Sequence, residues 1–447
     1  MLNQTRRSRK DRGRRIFINA FALTEKSDRA IINGMKKLIK FLETSYTAYH
    51  AVENARTLLT ENGFVELRET DAWNLTEGGK YFTVRGGSSL IAFTVGKKRS
   101  FHIIASHTDS PCFKLKAIPE MQAEGYTKLN AETYGGGIWY TFFDRPLKVA
   151  GRVIVQEGDG LHSELYTGAT LVIPSLAVHM NRGVNDGFAP NPQTDLLPLY
   201  SFAGEKLDLP ERTVSYDLFL TPSQTPFENG AHVEFLSSPR IDNLTSVFSS
   251  LQALVSTEGG QINVCACFDN EEVGSGTYQG AGGDFLYNTL SRIGLALGIT
   301  GEDFARTLAG SFLFSLDNAH AVHPNHGEKC DPTNRPVLGG GIVIKSHANK
   351  AYTTDALTCA IAQTVFEKAG AKYQYFYNRS DMRSGGTLGA ISLSQAGIPS
   401  CDIGLAQLAM HSAVETIAKD DYTELLKGLT AFYNCKIKTD SQTAEVK

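Results

Sequence analysis

The stretch SFHIIASHTDSP, residues 100–111, begins as an apolar run and ends in polar side chains, among them His107 and Asp109. A central strand of an open α/β sheet delivers side chains to its carboxyl edge in this way. A second stretch, QINVCACFDN at 261–270, has the same form and runs on into EEVGSG at 271–276. It sets Asp269, Glu271 and Glu272 side by side before a glycine-rich turn. Like charges so close repel, and burying them is costly unless cations or protons offset them.

Around these two stretches the chain alternates. Residues 35–62 carry apolar side chains at helical spacing (Leu38, Ile39, Phe41, Leu42, then Ala51, Ala55, Leu58, Leu59), with Ser45 and Thr47 between two helices and Gly63 after the second. KYFTVRG (80–86) and SLIAFTVG (89–96) read as strands. Beyond residue 240, helices at NLTSVFSSLQALVST (243–257), DFLYNTLSRIGLALG (284–298) and TDALTCAIAQTVFEKAG (354–370) alternate with strands at SFLFSLDNAH (311–320), GIVIKSH (341–347) and YQYFYNR (373–379). The pattern predicts an α/β fold, a mainly parallel central sheet flanked by helices. Residues 110–235 differ: they are rich in strand formers, Gly and Pro, as in GGGIWYTFFDRPLKVAGRVIVQEG (135–158), and predict a β-rich inserted domain. The α/β domain then comprises 35–109 and 236–447. Residues 1–34, which include RRSRKDRGRR at 6–15, are expected to be a basic, disordered arm outside it.

Bulk properties exclude several classes. The chain has 447 residues, 42% hydrophobic and 20% charged, with a net charge of −3. No basic field argues for nucleic acid, and no apolar run approaches the roughly 20 residues that span a bilayer. Seven scattered cysteines without a CxxC pair suit small buried thiols in a reducing compartment, so a cytoplasmic location is expected.

Three further places put polar residues at strand ends or turns, beside His107 and Asp109 in SHTDSP: Asp242 in SPRIDNLTS, Asp317, His320, His323 and His326 in SLDNAHAVHPNH, and His411 in LAMHSAVE. Singly each has a plain explanation. Asp242 could cap a helix, Asp317 could form a turn, and His411 could serve a loop. Together they form a different set. His, Asp and Glu side chains suit divalent zinc, cobalt or manganese. Two ions need one bridging carboxylate and two further ligands each, which five residues can supply. Of the adjacent glutamates, one could bind metal and the other take a proton from an attacking water. Asp109, two residues after His107, could orient the imidazole.

These residues lie in a series of motifs that resembles the aspartyl aminopeptidases of the di-zinc exopeptidase clan. The motifs are FLETSYTAYHAVENA, SHTDSPCFKLK, IPSLAVHMNR, RIDNLTSVFSS, FDNEEVGS, DNAHAVHPNH and LAQLAMHSAVE, in that order between residues 36 and 434. The resemblance implies that Asp242 bridges two metal ions, most readily Zn2+, with His107 and Asp317 completing one site and Glu272 and His411 the other. It implies Glu271 as general base, Asp109 as the residue orienting His107, and His320 at the substrate or oxyanion. It places Lys345 and Tyr352 at the substrate, and His179, from the inserted domain, at the active site of a neighbouring subunit. A dimerisation role for that domain, a dimer-based dodecamer, and peptide substrates beginning with Asp or Glu follow from the same resemblance. NRSDMRSGGTLG (378–389) departs from the expected shorter turn, so acidic specificity is less firmly implied than hydrolysis. A di-metal hydrolase of other amides (a deacylase or carboxypeptidase) and a non-catalytic assembly or cargo protein are the alternatives.

Overall fold

The computed structural model describes residues 34–257, 260–382, 385–386, 396–440 and 442–447. The expected disordered arm lies, but for Gly34, outside these residues. The chain divides into two compact units, residues 1–40, of which 34–40 are described and helical, and residues 41–447.

The larger unit is built on a nine-stranded sheet. In chain order its strands are β1 (Val65–Glu66), β2 (Lys80–Arg85), β3 (Ser89–Thr94), β4 (Phe101–His107), β5 (Ile262–Phe268), β6 (Phe312–Leu316), β7 (Ile342–Lys345), β8 (Tyr373–Phe376) and β9 (Ser400–Gly404). In space they run β1-β2-β3-β5-β4-β6-β9-β7-β8. The centre, β5-β4-β6-β9, is parallel throughout. β3 joins it antiparallel on one side and β7 on the other.

Every residue of β4, β5, β6 and β9 is buried, because both faces are covered. On one face Phe101, Ile103 and Ala105 of β4 and Ile262, Val264 and Ala266 of β5 meet Phe285, Leu286, Leu290 and Ile293 of the helix Phe285–Ala296. On the other lie the helices Ile241–Val255 and Lys419–Asn434, where His102 of β4 hydrogen-bonds the Phe432 carbonyl through Nδ1. Burial of each such large apolar side chain contributes about 1.5–3 kcal/mol. The helix Ala356–Ala369 starts where the Asp355 carboxylate accepts the Thr358 N–H, a capping box.

After β4 the chain enters a six-stranded antiparallel sheet, ordered Gly160–Leu171, Leu147–Glu157, Thr213–Pro222, Cys112–Ala123, Tyr126–Tyr134, Leu199–Phe202, with its own core around Phe113, Phe142, Val149, Val153, Leu218 and Leu220. It then passes through a small five-stranded sheet, ordered Phe227–Asn229, Phe235–Ser238, Glu415–Ala418, Ala406–Leu408, Ala319–His320, which brings the C-terminal part of the chain beside the strand that precedes Ile241. Among the described residues no helix is long and apolar enough to cross a membrane, and all seven cysteines are unpaired.

Candidate metal centre

The parallel strands at the middle of the sheet all end at one edge. β4 ends in His107, β5 is followed by Asp269–Glu272, and β6 by Asp317. Asp242 stands at the start of the helix Ile241–Val255, where its backbone departs from helical geometry and the Asp242–Asn243 peptide is cis. His411 comes from the turn between the strands Ala406–Leu408 and Glu415–Ala418, with φ at 67°. Five residues far apart in sequence thus converge.

The side chains fall into two groups sharing Asp242. His107 Nε2 lies 3.5 Å from Asp242 Oδ1 and 3.5 Å from Asp317 Oδ1. His411 Nε2 lies 3.3 Å from Asp242 Oδ2 and 3.5 Å from Glu272 Oε1. In each group one nitrogen and two carboxylate oxygens lie within 4.8 Å of one another; His107, Glu271 and Glu272 form a third such group. Asp242 Oδ1 and Glu272 Oε1 are buried and have no hydrogen-bond partner. Buried carboxylate oxygens left unpaired are costly, and a bound cation removes that cost.

The electrostatics make the same demand. Burial alone would make His107 and His411 less basic, but the carboxylates overcome it. Asp109, Asp242 and Asp317 hold His107 well above the usual range, and Asp242 and Glu272 push His411 up to about 10. Burial, aided by Asp317, Asp109 and Asp242, pushes Glu271 up to about 7. Burial drives Glu272 up as well. Without an ion the carboxylates are offset by protons on the two histidines, and the nitrogen and oxygen donors present suit zinc, which would take the place of those protons. The residues therefore fit a divalent metal, with Asp242 able to face two ions.

Neighbouring groups fix the donors. His107 Nδ1 lies 3.1 Å from the Asp109 carbonyl oxygen and 3.4 Å from Oδ1, which turns Nε2 toward Asp242. The Asp109 carboxylate has other partners: it accepts the backbone N–H of Glu271 and of Glu272, both at 3.1 Å, and the Tyr134 hydroxyl at 2.8 Å. His411 Nδ1 lies 3.0 Å from the Gly136 carbonyl, and Ile138 N–H donates to the His411 carbonyl. Tyr134, which ends a strand of the six-stranded sheet, and Gly136 and Ile138, which follow it, thus support the metal centre. Sequence reading took this segment for part of a β-rich insert. The signal available was GGG at 135–137, and Gly135, at φ 72° against Glu272, shows why a side chain is absent there. Glu415 was also missed, although it closes the LAQLAMHSAVE motif.

The other predicted residues lie around the centre. His320 lines a cavity of about 410 Å³ together with Ile138, His323, His326, Lys329, Phe376, Arg379 and Met410. Met410 immediately precedes His411. Lys345 is buried, its Nζ 3.4 Å from Asp317 Oδ2 and 3.2 Å from the Asn318 carbonyl, and it faces the Tyr352 ring at 5.2 Å. Neither Lys345 nor Tyr352 lines the cavity. His179 is exposed, in a segment of 172–193 outside the cluster.

The chain matches the family model for aminopeptidase I zinc metalloproteases (M18) over residues 41–213 and 206–433. It is 45% identical over 424 residues to a probable M18 family aminopeptidase 2 of Clostridium acetobutylicum, covering 89% of this chain and 98% of that one. Among solved structures it superposes on that of the Ape4 and Nbr1 complex with a TM-score of 0.87 at 33% identity, covering 90% of this chain and 86% of the other. The S. cerevisiae mApe1 dodecamer gives a TM-score of 0.76 at 27% identity, covering 89% and 95%. With a divalent-metal donor set at the carboxyl edge of an α/β sheet, and these similarities along nearly its whole described length, the chain belongs to the M18 family of zinc aminopeptidases.

Proposed function

We propose that the protein removes N-terminal residues, preferably Asp or Glu, from peptides, using two divalent ions, most readily zinc, bridged by Asp242. His107 and Asp317 would hold one ion, and Glu272 and His411 the other. The observation that carries this reading is the division of Asp242, with Oδ1 facing His107 and Oδ2 facing His411. Bound zinc supplies Lewis acidity, which polarises a scissile carbonyl and acidifies water.

The chain's own residues do the rest. Glu271, next to a ligand yet outside the two groups that share Asp242, takes the proton of the attacking water at its carboxylate and returns it to the leaving amine. Asp109 holds both glutamates by their N–H groups and orients His107. His320 stands where the cavity meets the centre and steadies the oxyanion. Support for an acidic first residue comes from Lys329, which lines the cavity with His320, His323, His326 and an Arg379 already paired with Asp381, while no Asp or Glu is among its described lining residues. Lys345, with the Tyr352 ring beside its amine, serves substrate binding from behind Asp317, with Lys345 supplying the positive charge.

We place the chain in a closed, dimer-based dodecamer, with the six-stranded sheet as the dimerisation domain and His179 reaching a neighbouring active site; the S. cerevisiae relative mApe1 is a dodecamer. Unpaired cysteines suit the cytoplasm. Steady-state assays over peptides varied at the first residue, with and without chelator, test the reading. It requires Asp and Glu to lead and activity to vanish with the metal; hydrolysis of N-acyl amino acids in preference to free N-termini would overturn it.

A further inference from the structure

Glu415 sits at the start of the strand Glu415–Ala418, is 2% exposed, and faces Ser238 across the ladder of the small sheet. Its two carboxylate oxygens take different partners. Oε2 accepts the backbone N–H of Asp242 at 2.9 Å, and Oε1 accepts the backbone N–H of His411 at 2.7 Å. No Lys or Arg forms an ion pair with Glu415 among the described residues, so these main-chain donors are its contacts with the centre. His411 holds a left-handed backbone conformation that costs energy for a residue with a Cβ. Asp242 sits where the helix Ile241–Val255 has lost its regular geometry. Neither position is fixed by repeating secondary structure, and both are gripped by the two oxygens of one planar carboxyl group.

We propose that Glu415 is a positioning residue that sets the separation of Asp242 and His411, and thereby the affinity of the site that His411 helps form. It touches neither substrate nor metal. Its plane ties the backbone of the shared ligand to that of the second histidine, and the ladder to Phe235–Ser238 anchors the tie. The inference rests on the reading of Asp242 and His411 as metal ligands.

The test is Glu415→Gln, which keeps the shape but offers one acceptor and one NH2 donor to two N–H donors. Zinc content and affinity are read by chelator competition, beside kcat and KM on one peptide substrate. The expected result is that the wild type holds two zinc ions, and that the variant, still folded by circular dichroism, binds one of them at least about 10-fold more weakly. Its kcat should fall when zinc is limiting, with KM nearly unchanged, and excess zinc should restore part of the loss. A wild type that binds two ions and a variant with equal affinity for both, even if less heat-stable, overturns the clamp while leaving the metal assignment intact. A wild type without zinc overturns the assignment itself. Should the variant not fold, amide exchange in the unmodified protein decides. The peptides carrying Asp242 and His411 must stay protected after chelation, because the clamp needs no metal; rapid exchange of both would contradict it.

Discussion

His411 Nε2 lies 3.3 Å from Asp242 Oδ2, although one residue comes from a C-terminal turn and the other from the first turn of a helix behind the sheet. That contact ties a turn of the small sheet to the start of the helix Ile241–Val255, and with it the second half of the candidate centre to the first. The same Asp242 turns Oδ1 toward His107.

Glu271→Gln removes the proposed base without removing a ligand of either Asp242-sharing group. The variant should keep its zinc and lose at least about 100-fold in kcat, the scale of general-base assistance. Zinc content together with a peptide assay checks this; near-normal turnover would refute the assigned role.

Gly135→Ala places a Cβ 3.0 Å from the Glu272 Cβ, at a backbone φ of 72°. The left-handed backbone costs about 1–2 kcal/mol, and the contact presses on Glu272. We expect a lower melting temperature together with weaker zinc binding. Calorimetry and chelator competition should therefore move in concert.

Lys345→Met leaves Asp317 without the buried cation that faces its Oδ2. Burial opposes the charge on Lys345, but Asp317 overcomes that and keeps the amine protonated. If Lys345 acts through Asp317, kcat/KM should fall by similar factors for peptides beginning with Asp, Glu or Ala. A loss confined to acidic first residues would show direct contact with the substrate side chain.

Acid should destabilise the fold through two histidines remote from the centre. His50, between the hydroxyls of Thr47 and Thr167, and His102, stacked on Phe432, are both pushed down to about 4 by burial. Their folded-state values lie below the unfolded 6.5, so the unfolded chain takes up protons first. The stability they contribute is full above about pH 6.5 and is lost as pH falls toward 4, on the order of 3 kcal/mol for each. Urea unfolding of the metal-free protein at pH 7 and 4.5 measures the loss. His102→Asn should shrink it, and an unchanged difference would contradict the assignment.

Much of this architecture was legible in the sequence because the strands that matter are buried on both faces. Continuous apolar runs ending in polar residues, as at 101–109 and 262–272, mark parallel strands and the edge where they stop. His107, Glu272 and Asp317 could be named for the same reason, since each ends or follows such a run, and Asp242 opens a helix; His411, in a turn of the small sheet, carries no such mark. What supports them was not legible. Asp109 reaches Glu271 and Glu272 through their backbone N–H groups, Gly136 reaches His411 through its carbonyl, and Glu415 again grips N–H groups. Every residue but proline has these main-chain atoms, so side-chain identity does not announce such contacts. Lys345 shows the converse: a lysine suggests a substrate carboxylate, but in the fold its amine faces Asp317.

The most direct test of the central claim is a crystal structure of the zinc-loaded protein with anomalous data collected at the zinc edge. The account predicts two peaks about 3.5–4 Å apart, one oxygen of Asp242 on each, His107 and Asp317 on the first and Glu272 and His411 on the second. A single peak, or ions bound away from Asp242, would contradict it.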